Sequence, residues 1–414
     1  MADISLVVLA HGLWGVKGHM EFIEKELNRH YEGTVHVMNS SSNEAKYTYD
    51  GIDICGKRLV TEIEERIATL KTLHNKRVVS ISFVGYSYGG LIIRFAIGLL
   101  GQRGFFHNIE PNCFVTFATP HMGVRLPQTS LQSRLFNFLS GRMVSRTGEQ
   151  LQLNDSFGKH HQPIIYVLSD PNDVYYQFLA KFKCRRTYAN TANDRTVPYW
   201  TAGLELLDFF QNKKGKLELI MDKKYSSILT SFDLRNDKEQ NPKKTNKNKE
   251  SKAWRYLFFA ASPILLPIFL IYAFFYVGIQ GLISRHRVVH LLDRPTIKDV
   301  QQDQPLHAHT GEFITDAFDT FNLAGESDIE MMDTEVSLYV QAEPSKALTN
   351  ESKILVSDDT TREIYNNLRK LKWERVWVYL NALNAHGSIV CRQKRFITEG
   401  GKATIQHFIE TTHL

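Results

Sequence analysis

From its first residues the chain alternates short apolar runs with longer stretches whose apolar positions recur every three or four residues. Residues 4–10 (ISLVVLA) read as a first buried strand. Residues 19–30 place Met20, Ile23 and Leu27 on one helical face, and residues 52–73 do the same with Leu59, Ile63, Ile67 and Leu70. Residues 78–84 are rich in β-branched and aromatic side chains, as a strand requires, and 89–100 form an apolar helix. Further strands are expected at 113–118, 164–168, 184–189 and 375–380, with a short last helix beginning near Thr404. Strands that are apolar on both faces and separated by helices predict an α/β fold, with a mostly parallel, doubly wound sheet covered on both sides.

The pattern breaks after about Trp200. Residues 236–252 (NDKEQNPKKTNKNKESK) are a polar, basic linker of low complexity. An uncharged stretch follows from 256 to 284, and its heart, 257–279, is long enough to cross a bilayer as a helix. Arg285, His286 and Arg287 close it. Residues 296–360 are polar, acid-leaning and weakly periodic, which predicts a peripheral segment. The expected organisation is a core part at 1–210, an insertion at 211–370 with the linker and the apolar segment, and a returning core part at 371–414.

Composition narrows the function classes. With 43% hydrophobic and 23% charged residues in 414, the chain can bury a large core without a metal or disulfide. Cys55, Cys113, Cys184 and Cys391 lie far apart with no CxxC pair, which argues against zinc ligation; Cys113 and Cys184 are expected as buried thiols. The opening MADISLVVLA carries an acid and no basic region, so it is not read as a secretory signal; with unpaired cysteines this points to a cytosol-facing protein. The net charge of +6 is modest and is concentrated around the linker, and no nucleic-acid partner is expected.

Chemistry enters at Gly85-Tyr86-Ser87-Tyr88-Gly89, a GxSxG pattern. Alone it is short, but here it follows the apolar strand VVSISFVG and opens the helix GGLIIRFAIGLL, the strand–turn–helix setting that a nucleophile elbow needs. The flanking glycines suit a turn too tight for side chains, and the helix N-terminus faces developing negative charge. Ser87 is therefore the candidate nucleophile. His11-Gly12-Leu13-Trp14-Gly15 follows the first strand, where a His-Gly loop lines an oxyanion hole in hydrolases of this type. The candidate donors are the backbone N–H groups of Tyr88 and Leu13, with Trp14 as a second choice; each such donor supplies on the order of 3 kcal/mol to the transition state. His11 itself reads as a scaffold residue, since the base comes last in chain order.

The runs LAHGLWG, VGYSYGGLIIRFAIGLL, FATPHMG, TYANTANDRTVPYWTA and LNAHGSIVCRQKRF together resemble the fungal serine-esterase family of α/β-hydrolases. The similarity covers about residues 4–210 and 370–414. It implies an α/β-hydrolase fold and a lipase or phospholipase working without a metal or organic cofactor at a membrane or lipid-droplet surface. Tyr86 and Tyr88 stand where histidine and leucine or methionine are frequent in lipases. Neither position does the chemistry through its side chain, so the departure touches only the acyl pocket.

An acid must follow Ser87, and a histidine must follow the acid. Asp194 lies just past the strand-like CRRTYA, where a loop at a strand's carboxyl end collects active-site groups, and the resemblance makes its Asp-x-x-Val-Pro run the acid loop. Asp170 and Asp173 are rivals, because YVLSDPND also ends a strand-like run. Among the 16 histidines, His386 in NALNAHGSIV follows the last strand and is the expected base. His407 reads as a surface or packing residue, His121 as a wall of the site and His290 as interfacial.

Chain order also limits the apolar segment. Ser87 and Asp194 precede it and His386 follows it, so a single crossing would separate base from nucleophile. Pro263 and Pro267 favour kinking, and both flanks are basic, which together predict entry and exit by the same face. Such an anchor would suit a phospholipid monolayer on a lipid droplet or the endoplasmic reticulum, with glycerolipid or phospholipid as substrate. A thioesterase or acyltransferase using the same triad, and an inactive hydrolase-fold tether, are the alternatives. Oligomeric state is not legible.

Overall fold

The apolar runs assemble into two sheets. In the computed structural model, which describes residues 1–125, 145–158, 161–210, 217–234, 275, 278–289, 342–352, 354–355 and 358–414, the strands are β1 (Ala2–Ala10), β2 (Val35–Asn39), β3 (Lys76–Tyr86), β4 (Glu110–Phe117), β5 (Cys184–Asn190), β6 (Leu217–Met221), β7 (Leu229–Leu234) and β8 (Glu374–Val378). Six of them form a parallel sheet in the order β2-β1-β3-β4-β5-β8, while β6 and β7 form an antiparallel pair. The order reverses between β1 and β3, and in such sheets ligands bind past the carboxyl ends near that point. The sheet, its order and its helical cover are those of an α/β-hydrolase fold.

Alternation along β1 shows why the strand is apolar throughout. Leu6 and Val8 face one core layer, shared with α2 (Ile52–Thr72) and α3 (Tyr88–Gln102). Val7 and Leu9 face the other, shared with α1 (Glu21–His30) and with the helix Glu399–Thr411 through Ile405 and Phe408. All four are fully buried, each contributing about 1.5–3 kcal/mol of transfer free energy.

Register aligns the carboxyl ends. Ala10 pairs with Gly85, Gly85 with Thr116, Phe117 with Tyr188, and Asn190 with Val378. His11, Ser87 and Asp194 thus leave the sheet along one edge.

Residues 217–234 and 342–352 sit beside β8. Tyr379 donates its N–H to the Ser227 carbonyl at 2.9 Å, and Trp377 Nε1 donates to the Ala342 carbonyl at 3.1 Å. Buried Arg375 reaches Glu205 at 3.0 Å and Glu343 at 2.8 Å, and Leu348 is fully buried. The end of the segment expected to be peripheral is therefore packed into the core.

The apolar run at 164–168 is a helix, Ile164–Val167, rather than a strand. Pro163 precedes it, and Asp155 accepts the N–H of Ile164 at 2.9 Å, which caps its start. Apolar runs this short fit a buried helix as well as a strand. Cys113 is buried, whereas its register partner Cys184 is only half-buried.

Of the apolar segment, 257–274 and 276–277 lie outside the described residues, as do the linker, 290 and 296–341. Among the described residues no helix is long and apolar enough to cross a membrane. The helix 278–289 that leaves the segment docks on the core: Ser284 Oγ donates to Asp50 Oδ1 at 2.5 Å, and Arg287 grips both oxygens of Asp50 at 2.5 and 3.0 Å.

Candidate active site

β3 delivers Ser87 into a backbone conformation that few L-residues adopt, φ 53° and ψ −127°. Glycines stand where the turn and the helix after it meet the end of β1 and the loop that follows. A Cβ on Gly89 would lie 2.2 Å from the Ala10 carbonyl oxygen, and one on Gly12 would lie 2.8 Å from Ser87 Cβ. The loop after β1 therefore packs directly on the serine, and the start of α3 packs on the end of β1. The Ser87 N–H is tied to the Phe117 carbonyl at 2.8 Å, so its side chain, not its backbone, is presented.

His386 comes from the far end of the chain. After β8 the backbone enters a four-residue helix, Ala385–Ser388, whose first turn is capped by Asn384 Oδ1 accepting from the Gly387 N–H at 2.8 Å. Its ring Nε2 lies 3.0 Å from Ser87 Oγ, and its Nδ1 lies 2.9 Å from Asp194 Oδ2. Carboxylate can only accept, so Nδ1 carries the proton and Nε2 is left to take one from Oγ. The histidine and aspartate side chains are almost fully buried, at 6% and 2% exposure, which strengthens their interaction. Asp194 is itself held: Oδ1 accepts from the N–H groups of Thr196 at 3.1 Å and Val197 at 2.8 Å, and Oδ2 from Asn190 Nδ2 at 2.9 Å.

The candidate oxyanion donors are backbone N–H groups on either side of the serine in sequence, at Tyr88 and Leu13. Tyr88 is the first residue of α3, where helical N–H groups have no internal acceptor. The Leu13 N–H belongs to the Gly12–Leu13 peptide, whose carbonyl accepts from the Gly15 N–H and from His11 Nδ1, both at 3.0 Å. A peptide is planar, so fixing its carbonyl fixes its N–H in the opposite direction. Burial lowers the pKa of His11, which favours the neutral ring; its Nδ1 must hold the proton to donate to a carbonyl. The Trp14 N–H, the second choice from sequence, is occupied by Thr48 Oγ1 at 3.0 Å.

The rivals are placed elsewhere in bonding terms. Asp170 accepts from the Asn172 N–H, and Asp173 caps the helix Val174–Ala180 through the Tyr175 N–H. His407 is fully buried, its Nδ1 2.8 Å from the Tyr188 hydroxyl, and burial lowers its pKa to about 3. His121 is buried with Nε2 2.9 Å from Thr116 Oγ1, its pKa pushed well down by burial. Asn190, Thr48 and Asn384 were not singled out from sequence; only Asn384, a capping residue just before the histidine helix, left a local signal. Among the described residues no group of three or more His, Cys, Asp and Glu could hold a metal ion.

Residues 2–205, which include the candidate oxyanion loop, Ser87 and Asp194, match the family model described as "Putative serine esterase (DUF676)". Over these residues the chain matches that serine esterase family. It is 32% identical over 213 residues to "Putative lipase YDL109C" of Saccharomyces cerevisiae, covering 50% of this chain and 31% of that protein. It is 31% identical over 221 residues to "Putative lipase C4A8.10" of Schizosaccharomyces pombe, covering 51% and 27%. The chain thus spans about a third or less of the length of these relatives. Phospholipase PlaB from Legionella pneumophila, a solved structure, is 16% identical with a TM-score of 0.30, covering 53% of this chain and 46% of that one.

Proposed function

We propose that this protein is a lipase of the serine esterase family, with phospholipid the favoured substrate, and that Ser87, His386 and Asp194 are its catalytic triad. The observation that carries this reading is the continuous relay Ser87 Oγ–His386–Asp194 at 3.0 and 2.9 Å. In the reaction, His386 Nε2 takes the Oγ proton as Oγ attacks the acyl carbonyl. Asp194 stabilises the imidazolium, and the Leu13 and Tyr88 amides hold the oxyanion. The tetrahedral intermediate collapses as His386 returns its proton to the leaving lysolipid alcohol. Water, deprotonated by His386, then attacks the acyl-enzyme and releases the fatty acid.

The site of action belongs to the same proposal: a cytosol-facing lipid monolayer or membrane, such as a lipid droplet or the endoplasmic reticulum, engaged through 257–279. One support is the helix 278–289. It turns Ser284 and Val288 inward, and exposes Ile279 (54%), Leu282 (70%), Ile283 (48%) and Val289 (58%). Apolar side chains in such a row on a helix surface mark an interaction face, and an interfacial lipid layer fits one that continues an uncharged stretch. The second support is topological. With Ser87 and His386 hydrogen-bonded, both flanks of the segment lie on one side of any membrane it enters.

The test is hydrolysis by purified protein of phospholipid vesicles, triacylglycerol emulsion, a soluble short-chain ester and an acyl thioester. The proposal expects fatty acid release from phospholipid to lead. Preference for the thioester by tenfold or more would replace it with a thioesterase.

A further inference from the structure

We infer that Tyr86 is a positioning residue for the histidine base, an inference that rests on the triad reading above. Tyr86 is the last residue of β3 and is 2% exposed. Its hydroxyl donates to the His386 main-chain carbonyl at 2.9 Å, and its ring lies against the imidazole with centroids 5.1 Å apart and planes 37° apart. The next residue, Ser87, addresses the same histidine at Nε2. Two consecutive residues therefore hold one histidine from two directions, its backbone and its ring, across about 300 residues of chain.

The His386 carbonyl needs such a partner. A four-residue helix leaves all its carbonyls without the full set of helical donors. The neighbouring carbonyls find them: Ala385 accepts from the Ile389 N–H, Gly387 from the Arg392 N–H and Ser388 from the Cys391 N–H. Among the described residues no backbone N–H outside the helix reaches the His386 carbonyl, and the Tyr86 hydroxyl takes that place. A buried carbonyl without a donor is unfavourable, so the short helix would turn to find one. The imidazole would turn with it, away from both Oγ and Asp194. The ring contact with Tyr86 limits the remaining tilt of the imidazole.

The strained elbow makes this geometry available. With Ser87 at a positive φ, the backbone reverses direction directly after Tyr86, which lets residue 86 lie under the histidine while residue 87 lies in front of it. An aliphatic side chain at 86 would fill the volume and leave the carbonyl unmatched.

Tyr86→Phe removes the hydroxyl alone and keeps the ring. On a soluble ester we expect kcat to fall about tenfold with KM within twofold of wild type, since binding contacts are unchanged while proton transfer depends steeply on placement. A second reading is independent of turnover: the low-field proton resonance of the His386 Nδ1–H bonded to Asp194, assigned by its loss in His386→Ala. In Tyr86→Phe this resonance should shift or broaden, whereas it should persist unmoved in Tyr31→Phe, a control hydroxyl that donates to the Ile409 and Thr412 carbonyls away from the site. An unmoved resonance with kcat within twofold of wild type would overturn the inference. Should wild type itself fail to hydrolyse any ester, the triad reading falls, while the resonance still decides whether Tyr86 positions His386.

Discussion

Arg287, on the helix that leaves the apolar segment, is bonded to both carboxylate oxygens of Asp50, a fully buried residue. Arg58 Nη2 reaches the same carboxylate at 2.5 Å, and the two guanidinium groups lie over the Tyr47 ring, at 5.0 and 5.2 Å. Two residues before Asp50, Thr48 holds the Trp14 N–H of the proposed oxyanion loop. The exit of the insertion is thus fastened to the element that supports that loop. Arg287→Ala should cost about 1.5–3 kcal/mol, the usual worth of hydrogen bonds to a charged group, because Asp50 retains Arg58 and Ser284. Thermal or urea unfolding of the pair measures it. A variant as stable as wild type would mean that the helix does not dock this way in solution.

A second prediction concerns His11. Because its ring fixes the Gly12–Leu13 peptide, His11→Ala should lower kcat by about tenfold without removing the donor. Affinity for a trifluoromethyl ketone, which forms an oxyanion on the serine, should fall by the same factor while KM stays near wild type. Equal losses in KM and in ketone affinity would point instead to a damaged binding surface.

How much of this was legible beforehand depends on the range of each interaction. The parallel sheet was legible because β1, β3 and β4 are apolar on both faces, and Ser87 because its motif sat between a strand and a helix. Chain order then drew attention to Asp194 and His386, which the structure places within hydrogen-bond reach of one another. The helix at Ile164–Val167 was not legible, since an apolar run of four or five residues has no measurable period. Tyr86 was set aside as chemically idle, and nothing local shows that its hydroxyl meets a carbonyl 300 residues later. The packed end of the insertion was missed for the same reason: its partners, Arg375 and Trp377, are on β8.

Acid should destabilise the fold well above the pH at which carboxylates of ordinary pKa titrate. His407, with its pKa lowered to about 3, and His19, lowered to about 2, are buried and neutral when folded, whereas unfolded histidines titrate near about 6.5. The unfolded state therefore binds more protons below that pH. Stability is complete above about 6.5 and is lost as pH falls toward 3, with a slope of about 1.4 kcal/mol per pH unit for each such histidine. Urea unfolding at pH 7 and pH 5 should show the loss, and His407→Gln should reduce it by about 2 kcal/mol over that interval. An unchanged difference between the two pH values would show that His407 is protonated in the native state.

The topology of the apolar segment can be read with single cysteines at Lys249 and at Lys298, one in each polar flank. On intact vesicles both should react alike with a membrane-impermeant thiol reagent, because the Ser87–His386 bond keeps the flanks on one side. Opposite accessibility would establish a true crossing, and with it the separation of His386 from Ser87.

The most direct measurement is mass spectrometry of the protein after reaction with a fluorophosphonate, in wild type and Ser87→Ala. A phosphonyl adduct on the peptide containing Ser87 is expected in wild type, with no adduct and no ester hydrolysis in Ser87→Ala at an unchanged melting temperature. His386→Ala and Asp194→Asn should each slow the reaction by about 10⁴-fold. Labelling at another serine, or hydrolysis that survives in Ser87→Ala, would contradict the assignment of Ser87 as the nucleophile.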